Sequence, residues 1–415
     1  MSPGQGGTPG RLQTEAAERR KTAEQSVCRT YVGRKKKIVA TERKRSSMTR
    51  RQFLRCLAFF ILTGALIAGF NTVMRIPKDE DMSQTTERFR ALYTEEENTW
   101  DGIFLGTSLV SRGWVSLSAW EKYGMTIYPM STDGQPFVLT KYLIEEVLKY
   151  QDLSFVVVDL HGLREGVLKT NGSRIRNITD HMRWSKNRTE AIAKALEWTD
   201  QYYPGRIDSS WVNRLSYYFP LLQFHSRLTE EGLYLEDVIW PESEMKGVYD
   251  LERTTVIDQE VELKPYTESA ELTEMQTDLL EEFFDYTEEK GIEVVFVKMP
   301  SALEDEVQEV LNALSEYAED RGYPVLNFND PEVLEESGID GTDLMDTKHL
   351  NAKGARAFSD YFSDYLYDTL GETSEVEDHR GEDGYESWDE ALENYEIFYA
   401  ETLETMREKY PDVPI

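Results

Sequence analysis

The chain has 415 residues, of which 40% are hydrophobic and 12% aromatic, enough for one large globular domain or two of ordinary size. Its net charge of −31 hides a division: residues 1–75 hold 16 Lys and Arg against 4 Glu, a net of +12, which leaves −43 for the remaining 340 residues. This acidic part of the chain, residues 76–415, which we call the body, should repel nucleic acid and anionic lipid. We therefore expect no nucleic-acid partner. The two cysteines, Cys28 and Cys56, precede the predicted folded part, which excludes disulfides and cysteine metal sites there.

Residues 1–50 are predicted to form a disordered, basic, cytoplasmic tail. Gly, Ser, Thr, Lys and Arg dominate residues 1–47, which offer hardly an apolar pair to a core. We interpret the run Arg34–Lys37 as part of a tail that stays inside the cell, with a nucleic-acid or lipid patch as the alternative.

A transmembrane signal-anchor is predicted over residues 51–75. The 19 residues from Cys56 to Met74 carry no charge, and a helix rising about 1.5 Å per residue just crosses a bilayer over that length. The flank before this run is basic and the flank after it is acidic. We therefore expect a single-pass protein of the cell membrane, with a cytoplasmic N-terminus and an extracytoplasmic body. No Ala-x-Ala cleavage site follows the run, which favours an anchor that is not removed.

An export signal is the alternative interpretation of the same stretch. Residues Thr49–Arg55 resemble a twin-arginine motif, and Met48 directly before them is a candidate start, which would leave residues 1–47 untranslated. Both interpretations place the body outside the cytoplasm.

Residues 76–98 are polar and acidic and are expected to form a juxtamembrane linker. From residue 99 to residue 370, short apolar runs typical of strands alternate with apolar residues at helical spacing. We predict strands at 103–106, 126–128, 154–159, 293–298 and 325–328, and helices at 114–123, 136–150, 272–283, 303–317 and 355–366. This alternation predicts an α/β fold, a doubly wound parallel sheet with helices on both faces in three αβα layers.

Two segments depart from the alternation. Residues 163–270 are predicted to be a helical insertion, with helices at 189–199 and 210–229. Residues 371–415 are predicted to be an acidic tail that contains one helix, because apolar residues recur there at helical spacing: Trp388, Leu392, Tyr395 and Phe398.

The candidate site combines residues from opposite ends of the domain. Ser108 follows the first predicted strand and His349 the last one, and the carboxyl ends of parallel strands meet at one edge of a sheet. A serine hydroxyl attacks when a base takes its proton, and histidine is that base when a carboxylate, here Asp346, fixes its tautomer. The structural alternative is a serine that only caps the next helix, with an Asp–His pair that only stabilises its loop.

A developing oxyanion needs N–H donors, and the backbone N–H of Ser108 is the first candidate. Gly134 and Gln135 after the second strand, and His161 after the third, are the other candidates for oxyanion or substrate binding. Gly134 as a turn residue and His161 as a structural residue are the alternatives. The sequence has no His-x-x-x-His pair and no glycine-rich phosphate loop, so it predicts neither a metal nor a cofactor.

These residues resemble the SGNH (GDSL-like) hydrolase superfamily over about residues 101–370, apart from the insertion. Gly106-Thr-Ser108, the later Gly134 and Asp346-x-x-His349-Leu-Asn-x-x-Gly carry the resemblance, and the last motif is the most specific. The resemblance implies a flavodoxin-like SGNH fold with Ser108 as nucleophile, His349 as base and Asp346 as its orienter. It also implies an oxyanion hole that includes the Ser108 N–H and Gly134.

The chain departs from the usual family pattern at two blocks. Thr107 stands where an Asp is usual, and Asp159-Leu-His161-Gly162 stands in place of Gly-x-Asn-Asp. Such departures also occur in a branch of bacterial cell-envelope proteins that resembles the alginate O-acetyltransferases and the D-alanyl transfer protein of teichoic-acid synthesis. Members of that branch are often tethered by one N-terminal helix, as expected here.

The resemblance implies a membrane-anchored, extracytoplasmic serine esterase or O-acyltransferase. Its substrate would be the O-acyl groups of a cell-envelope polysaccharide or teichoic acid-like polymer, with a membrane-bound acyltransferase as a further partner. The alternative is a non-catalytic envelope assembly or binding protein of the same fold. An enzyme requires Ser108 and His349 within hydrogen-bond reach, whereas a binding protein does not.

Overall fold

The computed structural model describes residues 48–74, 80–230, 243–248, 253–257, 261–371 and 376–415. The predicted tail over residues 1–47, with Cys28 and the run Arg34–Lys37, lies outside the described residues. Among the described residues, those from Gly69 onward form one compact unit, and residues 48–68 belong to a separate one. The predicted domain, its insertion and the acidic C-terminal segment therefore belong to the same unit.

An apolar helix covers the predicted membrane segment. This helix, α1 (Arg50–Val73), has 24 residues, none of them buried. It is long and apolar enough to cross a membrane. The prediction of one such helix near the N-terminus is confirmed.

Five parallel strands form the predicted sheet, which confirms the α/β class. They are β1 (Gly102–Gly106), β2 (Ile127–Ser131), β3 (Phe155–Asp159), β4 (Glu293–Lys298) and β5 (Val325–Asn327), in the order β2-β1-β3-β4-β5. All residues of β1, β2 and β3 are buried, so each strand is largely apolar along its whole length instead of alternating. The strand order changes direction between β1 and β3, and in doubly wound sheets ligands bind at the carboxyl ends of the two strands where this happens.

Helices join the strands in the predicted alternation. Helix α2 precedes the sheet, α3 and α4 join β1 to β2, and α5 joins β2 to β3. Their bounds are α2 (Glu80–Ala91), α3 (Ser108–Gly113), α4 (Ser116–Tyr123) and α5 (Thr140–Val147). After the insertion come α12 (Glu274–Lys290), α13 (Asp305–Asp320), α14 (Pro331–Ser337), α15 (Ala352–Leu370) and α16 (Glu386–Lys409).

The insertion, predicted to be helical over residues 163–270, is helical in its first half only; its described residues after 230, which are 243–248, 253–257 and 261–270, contain no helix. It contains α6 (Glu165–Leu168), α7 (Gly172–Thr179), α8 (Lys186–Tyr202), α9 (Trp211–Tyr218), α10 (Leu221–Phe224) and α11 (Arg227–Glu230). The helix predicted over 210–229 is thus three short ones, because Pro220 has no N–H to continue the first. Buried arginines connect these helices: Arg176 and Arg188 both contact Asp180, at 3.0 and 3.3 Å.

The segment expected to be a juxtamembrane linker, residues 76–98, is partly built into the core. Phe89 and Leu92 are each 1% exposed, and Arg88 donates from Nη1 to the Ser131 carbonyl at 3.3 Å. The charged residues around them suggested a solvated linker, but the few apolar side chains of this segment pack into the core.

The acidic C-terminal segment, 371–415, also packs as a full part of the body. Trp388 and Tyr395 of α16 are buried, and Trp120 of α4 donates its indole N–H to Asp389 at 3.0 Å. The predicted helix is present and longer than its apolar spacing indicated. Its outer face carries the charge that made the segment look like a tail.

Removing the Trp388 side chain should destabilise the body strongly. Trp388→Ala leaves a cavity beneath α16, and we expect the free energy of unfolding to fall by about 3–5 kcal/mol. Guanidinium unfolding of the full chain in detergent measures this. Ile397→Ala, on the same helix but 64% exposed, is the matched control and should change the free energy by less than about 0.5 kcal/mol. Equal effects of the two substitutions would show that α16 does not belong to the core.

The same segment contributes a pH-dependent contact. His379 binds Asp101 through Nε2 at 2.9 Å and Glu382 through Nδ1 at 3.0 Å. The hydrogen bond to Asp101 is the largest cause that raises the pKa of His379, to about 9. Because the folded-state pKa is raised, the stabilisation is complete below the ordinary value of 6.5 and is lost as the pH rises through about 9.

We therefore expect His379→Gln to destabilise the protein near neutral pH, and the difference from wild type to shrink at higher pH. The free energy of unfolding, measured on both sides of this window, tests it. His225→Gln, at an exposed histidine, is the matched control. A difference between wild type and His379→Gln that stays constant with pH would contradict the assignment.

Candidate active site

Ser108 stands at the junction of β1 and α3. Thr107, not Ser108, caps the helix: its Oγ1 accepts from the Leu109 N–H at 3.4 Å, and Ser108 is the first helical residue. The alternative in which Ser108 serves as the helix cap is therefore wrong, and its hydroxyl is free for another partner. Gly106 permits this turn, because a Cβ there would come within 2.8 Å of the Asp159 Cβ.

A short loop carries Asp346 and His349. The Asp346 Oδ1 accepts from the backbone N–H groups of Lys348, at 2.7 Å, and His349, at 3.0 Å. Leu344 and Leu350 pair across the base of the loop. These local bonds hold the Asp346 carboxylate beside the His349 ring. The two side chains can therefore meet although only three positions separate them in the chain.

The next residues of the motif attach this loop to α15. Asn351 caps the helix by accepting from the Gly354 N–H at 3.0 Å, and it donates to the Thr342 carbonyl at 2.7 Å. A Cβ on Gly354 would lie 2.3 Å from the Asp343 carbonyl oxygen, so only glycine allows the helix to approach the loop so closely. Each polar or glycine position of the motif thus has a structural task.

The three predicted catalytic residues meet, although Ser108 and His349 are 241 positions apart. The Ser108 Oγ lies 2.8 Å from the His349 Nε2. The His349 Nδ1 lies 2.8 Å from the Asp346 Oδ2 and 3.1 Å from its Oδ1. An ionised carboxylate can only accept, so the proton sits on Nδ1 and the Nε2 lone pair faces the serine hydroxyl.

The electrostatics favour a neutral imidazole. Burial is the largest influence and lowers the pKa of His349; the hydrogen bond and charge of Asp346 oppose it in part, while Arg112 and Arg253 lower it further. Burial also acts on Asp346, but the hydrogen bonds from His349 and Lys348 outweigh it and hold the pKa of this carboxyl below its ordinary value. At neutral pH the pair is therefore a base with an ionised orienter.

His161 follows β3 and is held in one tautomer. Arg164 donates from Nε to the His161 Nε2 at 2.7 Å, so the ring proton is on Nδ1. This Nδ1 is buried and has no hydrogen-bond partner among the residues that the structure describes. Burial, followed by the charge of Arg164, keeps the pKa of His161 well below its ordinary value. The ring is a neutral donor beside the His349 loop.

Gly134 and Gln135 lie in the loop after β2, the other neighbour of β1. The Gln135 N–H donates to the Thr132 carbonyl at 3.1 Å, and Gly134 has φ 59°, so this is a turn that favours glycine. The Gln135 side chain donates to the Met130 carbonyl at 3.0 Å and is buried. The Gln135 amide therefore holds the turn in place. Gly134 has the role of a turn residue, which was the structural alternative predicted for it.

Sequence analysis missed a cation that connects the two parts of the site. Arg253, from the insertion, donates from Nη2 to the Ser111 carbonyl of α3 at 3.3 Å, and its own carbonyl accepts from the Ala352 N–H of α15 at 3.1 Å. Nothing in its sequence neighbourhood marks it, because both partners are distant in the chain.

A second missed feature is two buried ionisable side chains, Asp159 and Lys298, at the ends of neighbouring strands. Burial raises the pKa of Asp159, at the end of β3, to about 7, and it lowers that of Lys298, at the end of β4, to about 7. The Asp159 carboxyl also accepts from the His161 N–H at 3.1 Å and from the Thr107 hydroxyl at 3.4 Å. Lys298 ending an apolar strand was the available signal.

One group of possible metal ligands lies away from the site. Glu377, His379 and Glu382 each place a ligand atom within 4.8 Å of the others in the described part of the chain. The two nitrogens of His379 already contact carboxylates, and its raised pKa makes the ring a cation. This arrangement fits an ion-pair cluster better than a metal site.

No protein-family model matches the chain, and no curated protein matches it significantly. A serine hydroxyl, a neutral imidazole and an ionised carboxylate in hydrogen-bonded sequence can activate the serine as a nucleophile.

Replacing the Asp346 carboxylate should impair this activation. In Asp346→Asn we expect the rate of Ser108 modification by a fluorophosphonate to fall on the order of 10³–10⁴-fold, because the imidazole loses its fixed tautomer. In the wild type the acidic limb of the rate should lie below pH 6.5, the ordinary histidine value, since the pKa of His349 is lowered. In the variant the limb should move lower still, because Asp346 raises that pKa.

Labelling rates across a pH series measure both effects. Asp305→Asn, at an exposed carboxylate in the first turn of α13, is the matched control and should leave the rate unchanged. A variant at Asp346 that reacts as fast as wild type would remove this carboxylate from the mechanism.

Proposed function

We propose that this protein is a membrane-anchored serine esterase or O-acyltransferase of the SGNH (GDSL-like) type. It acts outside the cytoplasm, through an acyl-enzyme, on O-acyl groups of cell-envelope glycopolymers. The observation that carries the proposal is the hydrogen-bonded chain from the Ser108 Oγ to the His349 Nε2 and from the His349 Nδ1 to Asp346, at 2.8 Å in each step.

The geometry supports a two-step acyl transfer. The Ser108 Oγ attacks the carbonyl carbon of the ester while the His349 Nε2 takes the hydroxyl proton, and Asp346 stabilises the imidazolium. The tetrahedral intermediate collapses when its carbon–oxygen bond to the leaving alcohol breaks, and His349 returns the proton to that alcohol. Water or a sugar hydroxyl then gives its proton to His349 and attacks the acyl-serine. The bond between the acyl carbon and the Ser108 Oγ breaks, His349 returns the proton to that oxygen, and the acid or the new ester leaves.

Two N–H groups are suited to the oxyanion. The Ser108 N–H is at the first position of α3, where a helix offers no backbone acceptor. The Nδ1–H of His161 is buried and without a partner in the described residues, and Arg164 keeps it protonated. We assign His161 the task of the Asn donor that the SGNH pattern has and this chain lacks. Gly134 is the further backbone candidate.

The fold assignment rests on the strand order and the position of the site. The order β2-β1-β3-β4-β5 is that of flavodoxin-like, doubly wound proteins. Ser108 and His161 follow β1 and β3, the two strands between which the order reverses. This is where ligands bind in such sheets, and it supports the three-layer SGNH arrangement proposed here.

The location follows from α1 and its flanks. The basic residues before the helix favour a cytoplasmic N-terminus, and the acidic body favours the outside. An enzyme tethered there meets polysaccharide or teichoic acid-like polymers, and a membrane-bound acyltransferase is a source of acyl groups. The rival hypothesis of a non-catalytic binding protein does not need the 2.8 Å contact between Ser108 and His349, so this contact favours the enzyme.

Labelling with a fluorophosphonate tests the proposal. The full chain should label, and both Ser108→Ala and His349→Ala should lose labelling, because the first lacks the nucleophile and the second lacks the base. Ser111→Ala, one turn further along the same helix, is the matched control and should keep it. Thermal unfolding should show Ser108→Ala folded. Labelling that persists in Ser108→Ala would overturn the assignment, and a folded wild type that does not label would favour the binding protein.

A further inference from the structure

An exposed apolar surface lies on the insertion. It consists of six residues, which we call the aromatic patch: Trp184, Trp211, Val212, Leu215, Phe219 and Leu222. Trp211 is 75% exposed and Trp184 59%. The described residues that follow α1 include eight exposed large hydrophobic side chains: these six, Tyr367 and Ile397. Because six of the eight lie in one region, that region requires an explanation.

The patch is continuous. Trp211, Leu215 and Phe219 recur every four residues, which places them along one side of α9 and the residue that ends it. The rings of Trp184 and Phe219 are 5.6 Å apart, so the loop before α8 joins the same surface. Tryptophan is typical of the region between lipid tails and water.

The patch adjoins the end of the apolar helix. The Leu221 N–H, between Phe219 and Leu222, donates to the Asn71 Oδ1 at 3.2 Å. Arg227, 3% exposed, donates from Nη1 to the Val73 carbonyl at 2.8 Å. The last turn of α1 is therefore bound to the segment that carries the patch, and both belong to the compact unit that begins at Gly69.

The local charge also differs from that of the body. Residues 169–230 hold 10 Lys and Arg against 6 Asp and Glu, a net of +4, whereas residues 76–415 as a whole carry −43. Three of these cations, Arg176, Arg188 and Arg227, and one carboxylate, Asp180, are buried, so the surplus at the surface is smaller than the count. The repulsion that would keep the body away from anionic lipid is thus weaker where the patch lies, and a surface of aromatic and aliphatic side chains without a negative surplus fits a phospholipid interface.

We propose that the aromatic patch inserts into the interfacial layer of the bilayer that α1 spans, so that the body is docked on the membrane and does not swing on a tether. The occupant is lipid: the patch is exposed, its segment binds the end of the helix at the point where that helix must leave the membrane, and its charge suits phospholipid. This inference goes beyond the acyl-transfer proposal, because it concerns a surface that has no part in the chemistry.

Depth-dependent quenching tests the docking. The full chain is reconstituted as single copies in nanodiscs of phosphatidylcholine and phosphatidylglycerol, with Cys28→Ser, Cys56→Ser and an environment-sensitive fluorophore at Val212→Cys. We expect strong quenching by a lipid that carries a nitroxide near its headgroup, and a blue-shifted emission. The same fluorophore at Ile397→Cys, an exposed apolar position on α16, is the matched control and should not be quenched.

A second variant keeps the test falsifiable if the fluorophore itself seeks the lipid. Trp184→Ala with Trp211→Ala should reduce the docked population, measured by quenching at position 212, by roughly tenfold or more, because each tryptophan contributes a large apolar surface. Unquenched emission at position 212, or emission that the double substitution leaves quenched, would overturn the proposal. A blue-shifted emission at position 212 that appears in native membranes but not in nanodiscs would also overturn it, because that outcome would assign the patch to a protein partner.

The outcome does not depend on Ser108. A fluorophosphonate should label the nanodisc samples equally with and without the two tryptophans. In the protein that keeps both tryptophans, a fluorophore that is not quenched while labelling is intact would refute docking alone. Absent labelling with an intact quenching signal in that protein would refute the catalytic proposal alone.

Discussion

The site depends on one buried hydroxyl that joins its two halves. Ser359, in α15, accepts from the Val115 N–H at 2.7 Å and donates to the Gly113 carbonyl at 3.2 Å. Those two groups lie at the junction of α3 and α4, directly after the helix that Ser108 opens. Because α15 begins at the His349 loop, this bridge fixes the position of the serine relative to the histidine.

Arg253 makes a second bridge, between the Ser111 carbonyl of α3 and the Ala352 N–H at the start of α15. A hydrogen bond of 2.8 Å between residues 241 positions apart needs such constraints, since an error of an ångström would abolish it.

Buried cations recur throughout this acidic protein, and they act as connectors. Arg188 donates to the carbonyls of Thr179 and Tyr217, at 2.5 and 2.9 Å, and so joins three helices of the insertion. Lys246 contacts Glu95 and donates to the Ser387 hydroxyl at 2.8 Å, which links the insertion to α16. The surplus of carboxylates remains at the surface, where water solvates it. Net charge therefore describes the exterior, while Arg188 and Lys246 connect elements of the interior, each through more than one acceptor.

The parts of the fold that sequence could predict are those decided locally. The apolar run 154–159 is a buried strand wherever it lies, and Asp346 reaches His349 through bonds within one loop. Three features depend on partners far away in the chain. The α2 segment looked like a linker because its few apolar residues are scattered among charges. The C-terminal segment looked like a tail because Trp388 lies among carboxylates. Arg253 had no pattern at all, since its value lies in two backbone groups that only the folded chain brings near.

On the SGNH assignment proposed above, the departures from the family pattern would be a change of residues with the chemistry retained. An oxyanion hole needs a fixed N–H, and an Asn amide supplies one without regard to protonation. A histidine supplies one only if its tautomer is fixed and its ring stays neutral. Arg164 meets the first condition by donating to the His161 Nε2, and burial meets the second by lowering the pKa. Thr107, in place of the usual Asp, avoids a further carboxylate beside the buried Asp159 and still caps α3. In the proposed mechanism Arg164 would be a positioning residue that the histidine requires, and Arg164 with His161 would together take the place of a single Asn.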